Sequence, residues 1–106
     1  MEPLLIYKAL SNETRLQILE WLKDPRTHLG YLVQNDQLPL QCDLENGVCV
    51  GYIQEKSGLA QSVISSYLKT LQKAGLLHSK RVGQWTYYRR NEETIREFYE
   101  YVKKDL

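Results

Sequence analysis

Gln61-Ser62-Val63-Ile64-Ser65-Ser66-Tyr67-Leu68-Lys69-Thr70-Leu71-Gln72-Lys73-Ala74-Gly75-Leu76-Leu77 is the stretch on which the fold turns. Ile64, Leu68 and Leu71 recur at i, i+4 and i+7, so at about 100° per residue they form one buried stripe of a helix from Gln61 to Ala74. The same rotation turns Ser62, Ser65, Ser66 and Lys69 outward and leaves Gln61 on the flank. Gly75 stands where helices end in a left-handed residue, with Leu76 placed for the apolar contact that accompanies such an end.

Immediately upstream, Val50 to Ser57 reads as a short helix with Val50 and Ile53 facing inward, and Gly58-Leu59 makes a tight turn. Two helices joined by a glycine-containing turn are a helix-turn-helix. Downstream, Leu76 to Val82 and Trp85 to Arg89 are strand-like runs rich in aromatic and β-branched residues, joined by Gly83-Gln84 as a two-residue hairpin turn. Asn91 caps a last helix with Glu92 and Glu93 in its first turn and Ile95, Phe98, Tyr99 and Val102 on one face.

At the other end, Pro3 to Leu10 reads as a first helix. Ser11 serves as N-cap of a second helix, which buries Leu16, Ile18, Leu19 and Leu22 and is ended by Asp24-Pro25. Arg26 to Val48 has no sustained period of 2 or 3.6; a short strand or turn at Tyr31-Leu32-Val33 is its one suggestion of structure. The expected architecture is a single domain over 1–106 with an irregular insertion at about 24–48. It is mainly α with a small β-hairpin, in the order α-α-α-α-β-β-α: a winged helix-turn-helix.

Charge adds a functional direction. The formal net charge is only +1, but its distribution is uneven. Met1 to Glu55 sums to −4, Lys56 to Arg90 to +7 without a single Asp or Glu, and the remainder to −2. A basic block free of acids, containing the helix-turn-helix and the hairpin, presents one positive face to a polyanion.

Several spaced segments, in order, resemble the ArsR/SmtB family of bacterial repressors. Ala9-Leu10-Ser11-Asn12-Glu13-Thr14-Arg15-Leu16-Gln17-Ile18-Leu19 is similar to that family's opening helix pair, and Gly58 to Leu71 to its recognition helix. Ala74-Gly75-Leu76-Leu77 and Arg81-Val82-Gly83-Gln84-Trp85 through Tyr88-Arg89 resemble its helix end and wing. The likeness covers most of the chain except roughly Asp24 to Val48. It implies a homodimer built from the first and last helices, whose two recognition helices enter successive major grooves of an inverted-repeat operator. Ligand binding or oxidation would release it.

Two departures concern the effector. Metal-sensing members carry a Cys-x-Cys pair at the start of the third helix. Here Cys49 matches the first cysteine, but Gly51 occupies the second place. Other members place Asp, His and Glu ligands on the last helix, which here has neither His nor Cys. Cys42 and Cys49 therefore leave three readings open: packed thiols, a redox pair, or a metal or metalloid site completed by His28 or Asp43, since two thiols do not fill a tetrahedral shell. No cofactor is required by the sequence. Position 60, often a capping Ser, is Ala.

The residues expected to meet DNA are Gln61, Ser62, Ser65, Ser66 and Lys69 of the recognition helix. Small hydroxyls allow close approach to base edges, Gln reads adenine, and Lys69 suits phosphate. Lys56, Arg81 and Gln84 join them, the last two at the wing turn. Trp85 is either a wing-tip contact or hairpin packing. Leu4, Leu5, Tyr7, Ile95, Phe98, Tyr99 and Val102 are the expected dimer interface, since two terminal amphipathic helices bury more when paired across a two-fold axis.

Against catalysis stand the lack of a Gly-rich phosphate loop, a nucleophile pattern or clustered carboxylates; His28 and His78 are isolated. No apolar run approaches the roughly 18 residues of a membrane span. Glu2 lies where a signal peptide carries bases, so a cytoplasmic location is expected. The alternative function is a winged helix used as a protein-interaction module, which has no need to exclude every acid from its wing.

Overall fold

The computed structural model describes residues 1–34 and 47–106. α1 (Pro3–Leu10) opens with proline, whose fixed φ suits a first helical turn. α2 (Glu13–Lys23) is capped by Asn12, whose side chain accepts from the Arg15 N–H at 3.0 Å. The cap is thus one residue later than Ser11. Ile18, Leu19, Trp21 and Leu22 of α2 are buried, but Leu16 is 49% exposed. Leu16, expected inside, lies off the stripe that Ile18 and Leu22 define.

The largest correction concerns the supposed irregular insertion. Pro25–Gln34 is a helix, α3, and Tyr31-Leu32-Val33 belongs to it instead of forming a strand or turn. Pro25 both ends α2 and starts α3: it bars the helical conformation to Asp24 (φ −139, ψ 76) while its own geometry fits a first helical position. The Asp24 carboxylate accepts from the Thr27 hydroxyl at 2.6 Å, which holds its pKa below the usual carboxylate value. Among the described side chains of α3, Leu29 and Leu32, one turn apart, enter the core. The expectations that fall on 35–46, Cys42 and Asp43 among them, lie outside the described residues.

β1 (Val48–Cys49) is a second addition to the expected order, followed directly by α4 (Val50–Ser57), α5 (Gln61–Lys73), β2 (Leu77–Val82), β3 (Trp85–Arg90) and α6 (Glu92–Asp105). The sheet is antiparallel in the order β1-β3-β2, with Val48 opposite Tyr88 and Val82 opposite Trp85 across the Gly83-Gln84 turn. The winged helix-turn-helix stands, and among the described residues it contains one helix and one strand more than expected.

α5 ends as its glycine requires. Gly75 has φ 82, its N–H donates to Gln72 O, and the Leu76 N–H reaches back to Leu71 O at 3.0 Å. This is the paired closure of a Schellman motif. It drives Leu76 and Leu77 into the core, where they join Ile64, Leu68, Leu71, Ile53 and Tyr52. Truncating any of the three α5 stripe residues to Ala should cost about 2–5 kcal/mol. Arg90 ties the sheet to its neighbours: Nη1 donates to Leu19 O of α2 at 3.2 Å, and the guanidinium pairs with Glu92 at the start of α6.

Candidate nucleic-acid interface

The outward face of α5 is open. Ile64, Leu68 and Leu71 are 0% exposed, while Gln61, Ser62, Ser66 and Lys69 are all exposed. Ser65 is half-buried and sits at the margin of this face, as its rotation of about 100° from Ile64 dictates. Lys73 is also exposed and lies in line with Ser62, Ser66 and Lys69 at i, i+4, i+7 and i+11. The helical period marked Lys73 as clearly as Lys69. Val63 adds an exposed apolar group suited to a thymine methyl.

No side chain caps α5. Ala60 adopts the extended conformation of an N-cap, and its carbonyl accepts from Val63 and Ile64, but the first-turn N–H groups meet no side-chain acceptor from it. α4 ends at Gly58 in the left-handed region (φ 69), and the Ser57 hydroxyl accepts from the Leu59 N–H. These contacts set the turn between the two helices.

The wing is fixed relative to α5 by a contact absent from the sequence expectations: Gln72 Nε2 donates to Ser79 Oγ at 2.8 Å. Arg81 and Gln84 are exposed beside the hairpin turn, and Arg81 Nε folds back onto Gly83 O at 3.2 Å. Lys80 and Arg89 are exposed as well, whereas Arg90 is internal and paired with Glu92. Lys56 differs from expectation: half-buried in the last turn of α4, it holds its ammonium 5.3 Å over the Tyr31 ring of α3. Trp85 is half-buried on the hairpin, while Tyr87 and Tyr88 pack against the core. Burial raises the pKa of the Tyr88 phenol, keeping it neutral.

The terminal helices carry the second expected surface. Ile95 and Phe98 pack on the core of their own chain, with Phe98 edge-on against Tyr7. Leu4, Leu5 and Tyr99 are 63%, 45% and 61% exposed, Tyr7 37%, and Val102 is half-buried. Ile95 and Phe98 thus serve the monomer first, and Leu4, Leu5 and Tyr99 form the uncovered apolar part. Among the described residues, Cys49 is disulfide-bonded and fully buried at the start of α4, and no group of three or more His, Cys, Asp or Glu is placed to hold a metal ion. Nor is any described helix long and apolar enough to cross a membrane.

No protein-family model matches the chain. Over 106 residues, all of both chains, it is 42% identical to an uncharacterized HTH-type transcriptional regulator of Bacillus subtilis, YbzH. It is 28% identical over 89 residues to a putative arsenical resistance operon repressor of Halobacterium salinarum, covering 84% of this chain and 59% of that one. Among solved structures, it resembles the homodimeric winged helix-turn-helix DNA-binding domain of Mb0332 from Mycobacterium bovis, a possible ArsR-family regulator. The TM-score is 0.62 and the identity 27%, covering 91% of this chain and 70% of that one.

Proposed function

Because the chain belongs to the ArsR/SmtB family of winged helix-turn-helix transcriptional regulators, we propose that it is a homodimeric repressor that holds an inverted-repeat operator in double-stranded DNA and leaves it when an effector acts. It is a transcription regulator, not an enzyme. One observation carries the DNA-binding step. The ridge of Ser62, Ser66, Lys69 and Lys73 is exposed on a helix whose opposite stripe is fully buried, within a stretch that contains no acid. Hydroxyls read base edges there and the lysines neutralise phosphate.

Dimerisation draws support from Leu4, Leu5 and Tyr99, large apolar groups left in water at the two chain ends. Pairing them across a two-fold axis removes that surface from solvent and sets two copies of α5 side by side. For the effector, the disulfide at Cys49 favours thiol oxidation over a metal or metalloid, because a disulfide sulfur is no longer the thiolate that metals require. The protein acts where its DNA is, in the cytoplasm.

Selection of duplexes from a random library, followed by a footprint upstream of the protein's own gene, tests this function. A two-fold-symmetric sequence should be enriched, with affinity falling steeply as salt rises, by a slope of about 0.9 per neutralised phosphate. Failure to enrich any sequence, with binding indifferent to salt, would instead favour a protein-docking module.

A further inference from the structure

Arg15 and Tyr67 belong to different parts of the molecule, α2 and the middle of α5, yet they meet at one junction. The Arg15 guanidinium donates through Nε to Ala9 O at 2.7 Å and through Nη2 to Lys8 O at 3.1 Å, which are carbonyls of the last turn of α1. The Cζ of the same guanidinium lies over the Tyr67 ring, 5.3 Å from its centroid. Asn12, which caps α2 onto the Arg15 N–H, also directs its Nδ2 to the Tyr67 hydroxyl at 3.5 Å, a long contact. Three helices are thus joined through one cation and one ring.

The apolar stripe of α5 does not by itself fix how the helix is rotated, since burial is non-directional. A rotation of about 20° about the axis keeps Ile64, Leu68 and Leu71 largely covered. At a side-chain radius of about 5–6 Å it nonetheless moves the outward groups by about 2 Å. Hydrogen bonds to base edges do not survive such a displacement. Tyr67 sits beside the stripe, where any rotation of α5 carries its ring off the guanidinium. The guanidinium is planar, and its fork is held by two carbonyls, so it opposes that motion directionally.

From this junction we infer that Arg15 and Tyr67 are positioning residues for DNA readout: they lock the rotation of α5 to the C-terminus of α1. This rests on α5 being the recognition helix. If α1 pairs across the dimer, the lock also refers each recognition helix to the two-fold axis. The expected consequence is a loss of sequence discrimination, with general affinity for DNA retained, because the exposed lysines stay on the same helix face.

The test compares two probes: the duplex enriched from the random library by the wild-type protein, and a mixed-sequence duplex at low salt. Tyr67→Leu keeps apolar bulk but removes the ring face; Arg15→Lys keeps the charge but removes the fork. Each should bind the enriched duplex about ten- to hundredfold more weakly, with mixed-sequence binding within about twofold of wild type. Tyr67→Phe retains the ring and should keep wild-type discrimination. Combining Arg15→Lys with Tyr67→Leu should add little to either alone, since both break one contact. An unchanged ratio of the two affinities in Tyr67→Leu and Arg15→Lys overturns the inference, as does a parallel loss on both probes. If Tyr67→Leu does not fold, Arg15→Lys against Tyr67→Phe decides in the same way. Absence of any enriched duplex for the wild-type protein would instead count against the proposed function.

Discussion

The rings of Tyr7 and Phe98 meet edge to face, with centroids 5.3 Å apart and planes at 72°. The first helix is thereby docked on the last within one chain, and the apolar groups beyond this contact, Leu4 and Tyr99, remain exposed. Substituting Phe98 therefore mixes two effects. Phe98→Ala should cost about 2 kcal/mol of monomer stability, because a half-buried aromatic and its ring pair are lost. Leu4→Asp and Tyr99→Asp touch only the uncovered surface. They should sediment as monomers in analytical ultracentrifugation while keeping wild-type far-UV dichroism. Dimers persisting in both variants would exclude the terminal helices as the interface.

On α5, charge reversal and charge removal should separate. Lys69→Glu places an acid in the middle of the exposed ridge and should abolish binding to the enriched duplex without altering the fold. Lys73→Ala removes one cation at the end of the same ridge. Its effect should be similar on all sequences and should reduce the salt slope by about 1. Fluorescence anisotropy at several salt concentrations measures both. Wild-type affinity in Lys69→Glu would remove α5 from the DNA.

The helix-turn-helix, wing and terminal helices were legible because each rests on a local, repeated signal. Ile64, Leu68 and Leu71 mark a period, Gly75 a left-handed end, and Gly83-Gln84 a turn. α3 was not legible: Pro25, Gly30 and Val33 are weak helix formers, and among its described side chains Leu29 and Leu32 give it a buried side. It folds as a helix because those two leucines find the core, a tertiary fact. β1 is two residues long and is defined by its pairing with Tyr87 and Tyr88, about forty positions away in the chain. The outward residues of α5 followed from helix rotation alone. The contacts that hold them, Gln72 to Ser79 and Arg15 to Tyr67, join segments that no spacing rule connects.

Ala60→Ser should stabilise the protein by about 1 kcal/mol. Ala60 already has the extended N-cap backbone (φ −64, ψ 148) but no side-chain oxygen for the first-turn N–H groups of α5. A serine hydroxyl supplies one without disturbing the core, since position 60 is exposed. Urea denaturation monitored by dichroism should show a higher midpoint with an unchanged slope. An unchanged or lower midpoint would mean that the N–H groups are already satisfied by solvent at no cost.

Cys49 is the point at which oxidation would reach the DNA-binding surface. It is fully buried, precedes the first helix of the helix-turn-helix, and pairs in the sheet with Tyr87 of the wing. Cys42 is the chain's other cysteine. Cys49 stands where α4 and the wing meet, so a change in its oxidation state acts at their junction, and the oxidised protein is expected to bind the enriched duplex at least about tenfold more weakly than the reduced one. Cys49→Ser should bind like the reduced form and ignore oxidant. Linkage gives a second, independent readout. If DNA prefers the dithiol tenfold, saturating duplex must favour the dithiol by the same factor, raising the midpoint potential of the couple by about 30 mV. Redox titration with and without the duplex measures that shift. Equal affinities of reduced, oxidised and Cys49→Ser protein, with no shift in midpoint, would leave the disulfide without a regulatory role.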